Sequence, residues 1–243
     1  MSVLLLQLAG PLQSWGASSR FARRTTEPAP TKSGVIGLLA AAQGRPRTDL
    51  LHGLVDLRFG VRIDQPGTPL RDFHTAHRFT TDEALPVSER FYLADAVFVA
   101  AVESDDSDLI ENLHQAVRNP HFLPYLGRRS CPPARRIDLG AHHNRTLSEA
   151  LQQEPWLAAS WYQRRRRDQA TVSLTILEEA TPADGPVDTL RDQPISFDPL
   201  HRQYALRGVR NRSCNVNNPA FRAPRAAVPD HDPTSVLGGV RCI

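Results

Sequence analysis

A chain of 243 residues with 40 % hydrophobic and 23 % charged side chains can bury the core of one large domain or two small ones. Its apolar runs are too short and broken to span a bilayer, and its first residues lack the basic region of a secretory leader. Cys131, Cys214 and Cys242 stand far apart with no C-x-x-C pair, which argues against a disulfide framework and a zinc site, so the chain reads as cytoplasmic.

In chain order, residues 2–9 predict a buried strand that stops at Gly10-Pro11. An arginine-bearing loop follows Trp15 and closes at Pro28 and Pro30. Thr31 or Ser33 then caps a helix whose apolar residues Val35, Ile36, Leu38, Leu39 and Ala42 cover most of its circumference, with Gly44 and Pro46 ending it. Val55, Leu57, Phe59, Val61 and Ile63 alternate with polar residues or glycine, the pattern of a half-buried strand. Residues 71–75 predict a short strand and 76–89 an exposed excursion. Phe91 to Val102 reads as one long strand with Ala94, Ala96, Phe98, Ala100 and Val102 on one face.

Asp105 or Ser107 starts a second helix, ended by Asn119-Pro120. A long Pro- and Arg-rich connection with a short helix near 147–153 leads to a strand at Thr171–Leu177. Beyond about Ala180 the pattern weakens, with strands expected at 193–197 and 203–209 and a Pro- and Asn-rich end after Asn215. Strand, helix, strand, strand, helix, strand is the split βαβ order of an α+β, ferredoxin-like domain. Residues 1–180 are therefore read as that domain, and 181–243 as a C-terminal extension or small lobe.

The net charge of +3 says little about partners, but the kind of base says more. Lys32 is the only lysine, and arginines cluster at Arg20, Arg23 and Arg24, at Arg128 and Arg129, at Arg135 and Arg136, at Arg164–Arg167 and along Arg202–Arg212. GC-rich codon usage accounts for arginine replacing lysine. It does not account for the clustering, nor for acids gathering elsewhere, at 103–108 and 178–192. Such segregation suits a phosphate-facing surface, where planar guanidinium groups bind oxygens in pairs.

Four stretches resemble the CasD family, a subunit of the type I-E CRISPR Cascade complex. They are the opening Leu6-Gln7-Leu8-Ala9-Gly10-Pro11-Leu12-Gln13-Ser14-Trp15-Gly16, the helix start Pro30-Thr31-Lys32-Ser33-Gly34-Val35-Ile36-Gly37, the strand Arg90-Phe91-Tyr92-Leu93-Ala94-Asp95-Ala96, and Leu126-Gly127-Arg128-Arg129-Ser130-Cys131-Pro132. They occur in that family's order over roughly the first 135 residues. The resemblance implies a RAMP fold, an RRM-like ferredoxin core with a protruding thumb, here at about 75–89. It also implies a subunit that grips the 5′ handle of the CRISPR RNA, caps that end of the filament and contacts the backbone and large subunits; whether the thumb touches target DNA is left open by the sequence.

Single-stranded RNA is held by cationic grooves and flat side chains. Gln13 and Ser14 carry donors and acceptors for base edges or ribose. Trp15 is either a stacking platform or a core residue. Arg20, Arg23 and Arg24 form a basic loop. Lys32 and Ser33 stand at a helix N-terminus, which favours an anion. Gly127, Arg128, Arg129 and Ser130 combine close backbone approach with two guanidinium groups. His74, Arg78 and Arg90 lie on or beside the thumb, where Phe79 offers an apolar wedge.

Catalysis without a metal is the rival reading, because relatives in another CRISPR subtype cleave precursor RNA. His74 or His77 with Lys32 and Tyr92 would supply base, cation and acid. No Tyr-Lys-His set aligns residue by residue, however. His142-His143 lacks partners at ligand spacing, and Walker, G-x-S-x-G and H-E-x-x-H motifs are absent. The expectation is a non-catalytic subunit with no cofactor. A protein-interaction module whose arginines reflect codon usage stands third.

Overall fold

We describe the chain from a computed structural model, which places residues 1–17 and 23–223; Arg20 lies outside the described residues. The elements are β1 (Ser2–Ala9), β2 (Leu12–Gln13), β3 (Arg23–Arg24), α1 (Lys32–Ala42), β4 (Arg58–Gln65), β5 (Thr68–His74), β6 (Ser88–Ala94) and β7 (Val97–Ser104). After these come α2 (Ser107–Arg118), β8 (Asp138–His143), α3 (Leu147–Gln153), α4 (Ser160–Arg165), β9 (Thr171–Glu179), β10 (Asp188–Ser196) and β11 (Gln203–Asn217).

β1 is apolar on both faces, so both must be covered. It lies inside a seven-stranded antiparallel sheet ordered β10-β11-β9-β4-β7-β1-β8. Leu4, Leu6 and Leu8 share one face with Phe98, Ala100 and Val102 of β7 and with Phe59 and Val61 of β4, under α1 and α2. Val3, Leu5, Val99, Ala101 and Ile176 point the other way, against Leu147, Ala150 and Leu151 of α3. Each fully buried aliphatic side chain contributes about 1.5–3 kcal/mol relative to exposure. A Cβ on Gly60 would stand 2.6 Å from Leu147, so glycine lets α3 settle onto β4.

Coverage on both faces corrects the half-buried reading of 55–63. Arg62, expected on a solvent face, is completely buried beneath α3. Its guanidinium makes five hydrogen bonds: two to the Asp64 carboxylate at 2.7 and 3.0 Å, and one each to the carbonyls of Leu151, Glu154 and Pro155 at 2.6–2.7 Å. Asp64 in turn accepts from the Leu157 amide at 2.6 Å, and its carbonyl accepts from the Trp156 indole at 2.9 Å. The ion pair thus fastens the segment after α3 to the sheet.

The stretch 91–102 is two strands rather than one. Asp95, with φ of 55°, breaks it, and the halves join different sheets. β6 pairs with β5 over Ser88–Ala94, with β2 at its end and with β3 in parallel at its start, forming a small four-stranded sheet. Residues 75–87 project from the β5–β6 hairpin, exposed and braced by a His77–Ala84 bridge. A second correction concerns the strand beside β1. That edge is β8, inside the supposed loop, while β9 pairs with β4 on the far side. β10 and β11 continue the main sheet past β9, and β11 reaches Asn217, well beyond the expected end at 209.

The first helix is capped by Thr31, whose Oγ1 accepts from the Gly34 amide at 3.2 Å, and the second by Asp106, which accepts from Asp108 and Leu109 at 3.0 Å. Among the described residues no helix is long and apolar enough to cross a membrane.

Candidate nucleic-acid interface

The loop after β2 is anchored by the residues expected to read bases. Gln13 is fully buried. Its amide donates to the carbonyls of Leu8 at 3.0 Å and Ala96 at 2.8 Å, and its Oε1 accepts from the Trp15 indole at 3.1 Å. Trp15 is also fully buried and packs so closely on α1 that a Cβ at Gly34 would meet its ring at 2.7 Å. The Ser14 hydroxyl donates to the Phe91 carbonyl at 3.0 Å. Gln13 and Trp15 are corrected from base readers to a frame, because their polar atoms are spent inside the protein, which leaves Trp15 in its core role; the Ser14 hydroxyl braces the same frame and keeps its acceptor lone pairs.

Lys32 is corrected in the same way. The helix N-terminus does attract an anion, but the anion is the protein's own: the Lys32 amide donates to Asp192 at 2.8 Å. Its ammonium is buried against Glu179, at 3.0 and 3.2 Å from the two carboxylate oxygens. Desolvation pushes the Lys32 ammonium below its ordinary range, against the pull of Glu179. Arg207 closes the network with bonds of 2.9 and 2.8 Å to Asp192. Ser33 is buried beside Thr31, 3.4 Å from its hydroxyl.

The frame encloses an open groove of about 760 Å³. One wall is the loop from Ser14 to Ala17 with Tyr125, Gly127 and Arg128; the other is the loop after α1 with Arg45 and Arg47. Arg191, Phe197, Arg202 and Tyr204 of the β10–β11 hairpin close the end, and the floor is the small-residue face of α1, including Gly34, Gly37 and Ala41. Among the described residues six arginines line it (Arg24, Arg45, Arg47, Arg128, Arg191 and Arg202) and no acid does. Among the described residues none of these six pairs with a carboxylate, whereas Arg23, Arg58, Arg71, Arg78, Arg118 and Arg136 all do.

Arg128 is braced in the groove wall. It stacks over the Tyr92 ring at 4.8 Å and donates through Nη2 to the Arg24 carbonyl at 2.9 Å, while its enclosed Nη1 has no partner among the described residues. Arg24 and Arg23 stand on β3, with Arg23 over the Phe91 ring at 5.3 Å. Gly127 contributes close backbone approach, though to the Ser14 carbonyl and not to a ligand. Arg129 and Ser130, which follow Arg128 in the chain, are exposed. Tyr125, Phe197 and Tyr204 add ring faces; burial pushes the Tyr204 hydroxyl up, against the pull of Arg202 and Arg47.

His74 lies 3.5 Å from Asp72 on β5, and Arg78 lies 3.4 Å from Glu83 on the excursion, with Phe79 fully exposed beside it. Arg90 sits in β6 opposite Arg24, its Nε enclosed and unpartnered among the described residues. Sequence reasoning missed Arg45, Arg47, Arg191 and the three rings. Arg45-Pro46-Arg47 carried a basic signal just past a helix end, but nothing local placed the β10–β11 hairpin across from it.

The family profile described as CRISPR-associated protein (Cas_Cas5) matches residues 3–210. The chain is 37 % identical over 158 residues to the CRISPR system Cascade subunit CasD of Escherichia coli (strain K12), an alignment covering 57 % of this chain and 70 % of that one. A solved structure described as a crystal structure of a Cas protein matches with a TM-score of 0.68 at 34 % identity, over 92 % of this chain and 100 % of the other. A chain of a CRISPR RNA-guided surveillance complex matches with a TM-score of 0.71 at 34 % identity, over 92 % and 94 %.

Proposed function

The chain belongs to the CRISPR-associated Cas5 family, and on that premise we propose that it is a subunit of an RNA-guided surveillance complex that clamps the 5′ handle of the guide RNA in the arginine groove. The observation that carries this reading is the groove itself, with six arginines free of carboxylate partners among the described residues and three rings between them. A polyanion compensates those charges, and splayed bases stack on the rings. Arg23, Arg24, Arg128, Arg129 and Ser130 hold the backbone from one side, with Arg45, Arg47, Arg191 and Arg202 opposite. The excursion at 75–87, with His74, Arg78 and Arg90 along its hairpin, acts as the thumb toward the backbone subunit or target DNA. The large subunit is the other protein neighbour.

The order β8-β1-β7-β4, with α1 and α2 over one face, supports a ferredoxin-like βαββαβ core of the RAMP kind. β9, β10 and β11 extend it, and β10–β11 supplies a wall of the groove. The subunit is non-catalytic in this reading. Precursor cleavage, the rival, draws its support from the family alone: Lys32 is spent on Glu179, and Tyr92 is buried beneath Arg128.

The test is co-expression with a CRISPR array and its companion genes, followed by pull-down through this subunit. Mature guides in a stoichiometric complex, lost when Arg47, Arg128 and Arg202 become Ala, are the expected result. Isolation of this protein alone, with repeat RNA cut in EDTA only when it is present, would install the nuclease reading instead.

A further inference from the structure

On the sheet face opposite α1, a second cationic cleft of about 390 Å³ lies between α4 and the turn that follows β11. Its walls are pinned by the main chain. The buried Asn218 donates to the carbonyls of Gln163 at 3.3 Å and Arg166 at 2.8 Å, and the Arg222 amide donates to the Arg167 carbonyl at 2.8 Å. Among the described residues Arg164, Arg167 and Arg222 line the cleft together and no acid does. Among the described residues none of the three pairs with a carboxylate, although Asp168 is their neighbour in sequence. Arg166, by contrast, is occupied: it stacks over Tyr162 at 4.8 Å and bonds its hydroxyl at 2.8 Å. The arginine run thus divides into one brace and several free cations.

Two large exposed rings accompany those cations. Phe221 is in the cleft wall, and Trp161 sits one helical turn before Arg164 and Arg165. Guanidinium groups beside exposed rings bind phosphates and stack bases, a combination that an acidic polypeptide uses only in part. We propose that this cleft is a second binding site for a single-stranded polynucleotide, separate from the groove because the seven-stranded sheet stands between them. One bound strand therefore leaves the other site free for another segment, RNA or DNA.

The test uses the purified full chain in fluorescence anisotropy with fluorescein-labelled single strands of mixed sequence, one RNA and one DNA, across a salt series. In the background Arg47→Ala/Arg202→Ala, which weakens the groove, Arg164→Ala/Arg167→Ala/Arg222→Ala is expected to lower the remaining affinity roughly tenfold further. It should also flatten the salt slope by about 2, as three fewer phosphate contacts require. The triple Lys variant, which keeps the charges, should retain most of the affinity. Arg166 is left intact, so the Tyr162 brace survives, and unchanged thermal unfolding checks the fold. Preference between the two labelled strands identifies the source. Unchanged affinity and slope in the triple Ala variant, or loss only of binding to poly-glutamate, would overturn the proposal.

Discussion

Gly127 lies so close to Ser14 that a Cβ on it would stand 1.8 Å from the Ser14 carbonyl oxygen. Its φ of +81° is also a region that side chains resist. The two constraints hold the Arg128 loop against the loop after β2. Gly127→Ala should cost about 1–3 kcal/mol from the backbone alone, with the clash added to it. Urea denaturation reads the cost, and a midpoint equal to wild type would show that the contact is not needed.

The groove arginines should act as phosphate contacts. Arg47→Ala/Arg202→Ala is expected to weaken single-stranded RNA roughly tenfold at moderate salt and to lower the slope of log K against log salt by about 1.4. Arg118, which pairs with Asp138 at 3.8 Å, serves as the control. Equal losses from Arg118→Ala would mean that net charge, not the groove, decides binding.

Lys32 gives the opposite expectation. Its ammonium is buried against Glu179, so Lys32→Met should cost about 3–5 kcal/mol by leaving that carboxylate without its partner. The RNA salt slope of the protein that remains folded should match wild type. A shallower slope would return Lys32 to the phosphate site.

Gly37 tests the shape of the floor. Among the described residues a Cβ there meets only the Phe197 ring, at an ordinary 3.8 Å. Gly37→Ala should therefore stabilise the chain by about 0.5–1 kcal/mol, as glycine replacement inside a helix does. Gly37→Leu should stay folded and lose RNA affinity, because the longer side chain enters the groove. Undiminished affinity in that variant would place the RNA elsewhere.

What was legible in the sequence was whatever periodicity and capping control. β1 runs over the expected residues 2–9, α1 starts at its Thr31 cap, and α2 stops at Asn119-Pro120. What escaped was set by long-range pairing. β8 is short and moderately polar, and only its partner β1 makes it a strand. Asp95 breaks an otherwise continuous apolar run because its halves pair with different sheets. Lys32 and Gln13 look like ligand-binding residues until Glu179, Asp192, Leu8 and Ala96 arrive from distant parts of the chain. The arginine clusters did point to a cationic surface, but which arginines remain free depends on acids placed by the fold.

His142, on the β8 edge opposite Val3, should make stability sensitive to acid. Burial above all, then Arg145, His143 and His114, lowers its pKa from the ordinary 6.5, and its Nε2 is enclosed without a partner among the described residues. As pH falls through 6.5, the unfolded chain takes up a proton that folded His142 still refuses. The unfolded state then binds more protons, so acidification favours it. The contribution of neutral His142 is complete above 6.5 and is lost as pH drops toward the folded value. Thermal unfolding of wild type and His142→Gln across this window should show a steeper decline in wild type. Parallel curves would assign the acid sensitivity to groups other than His142.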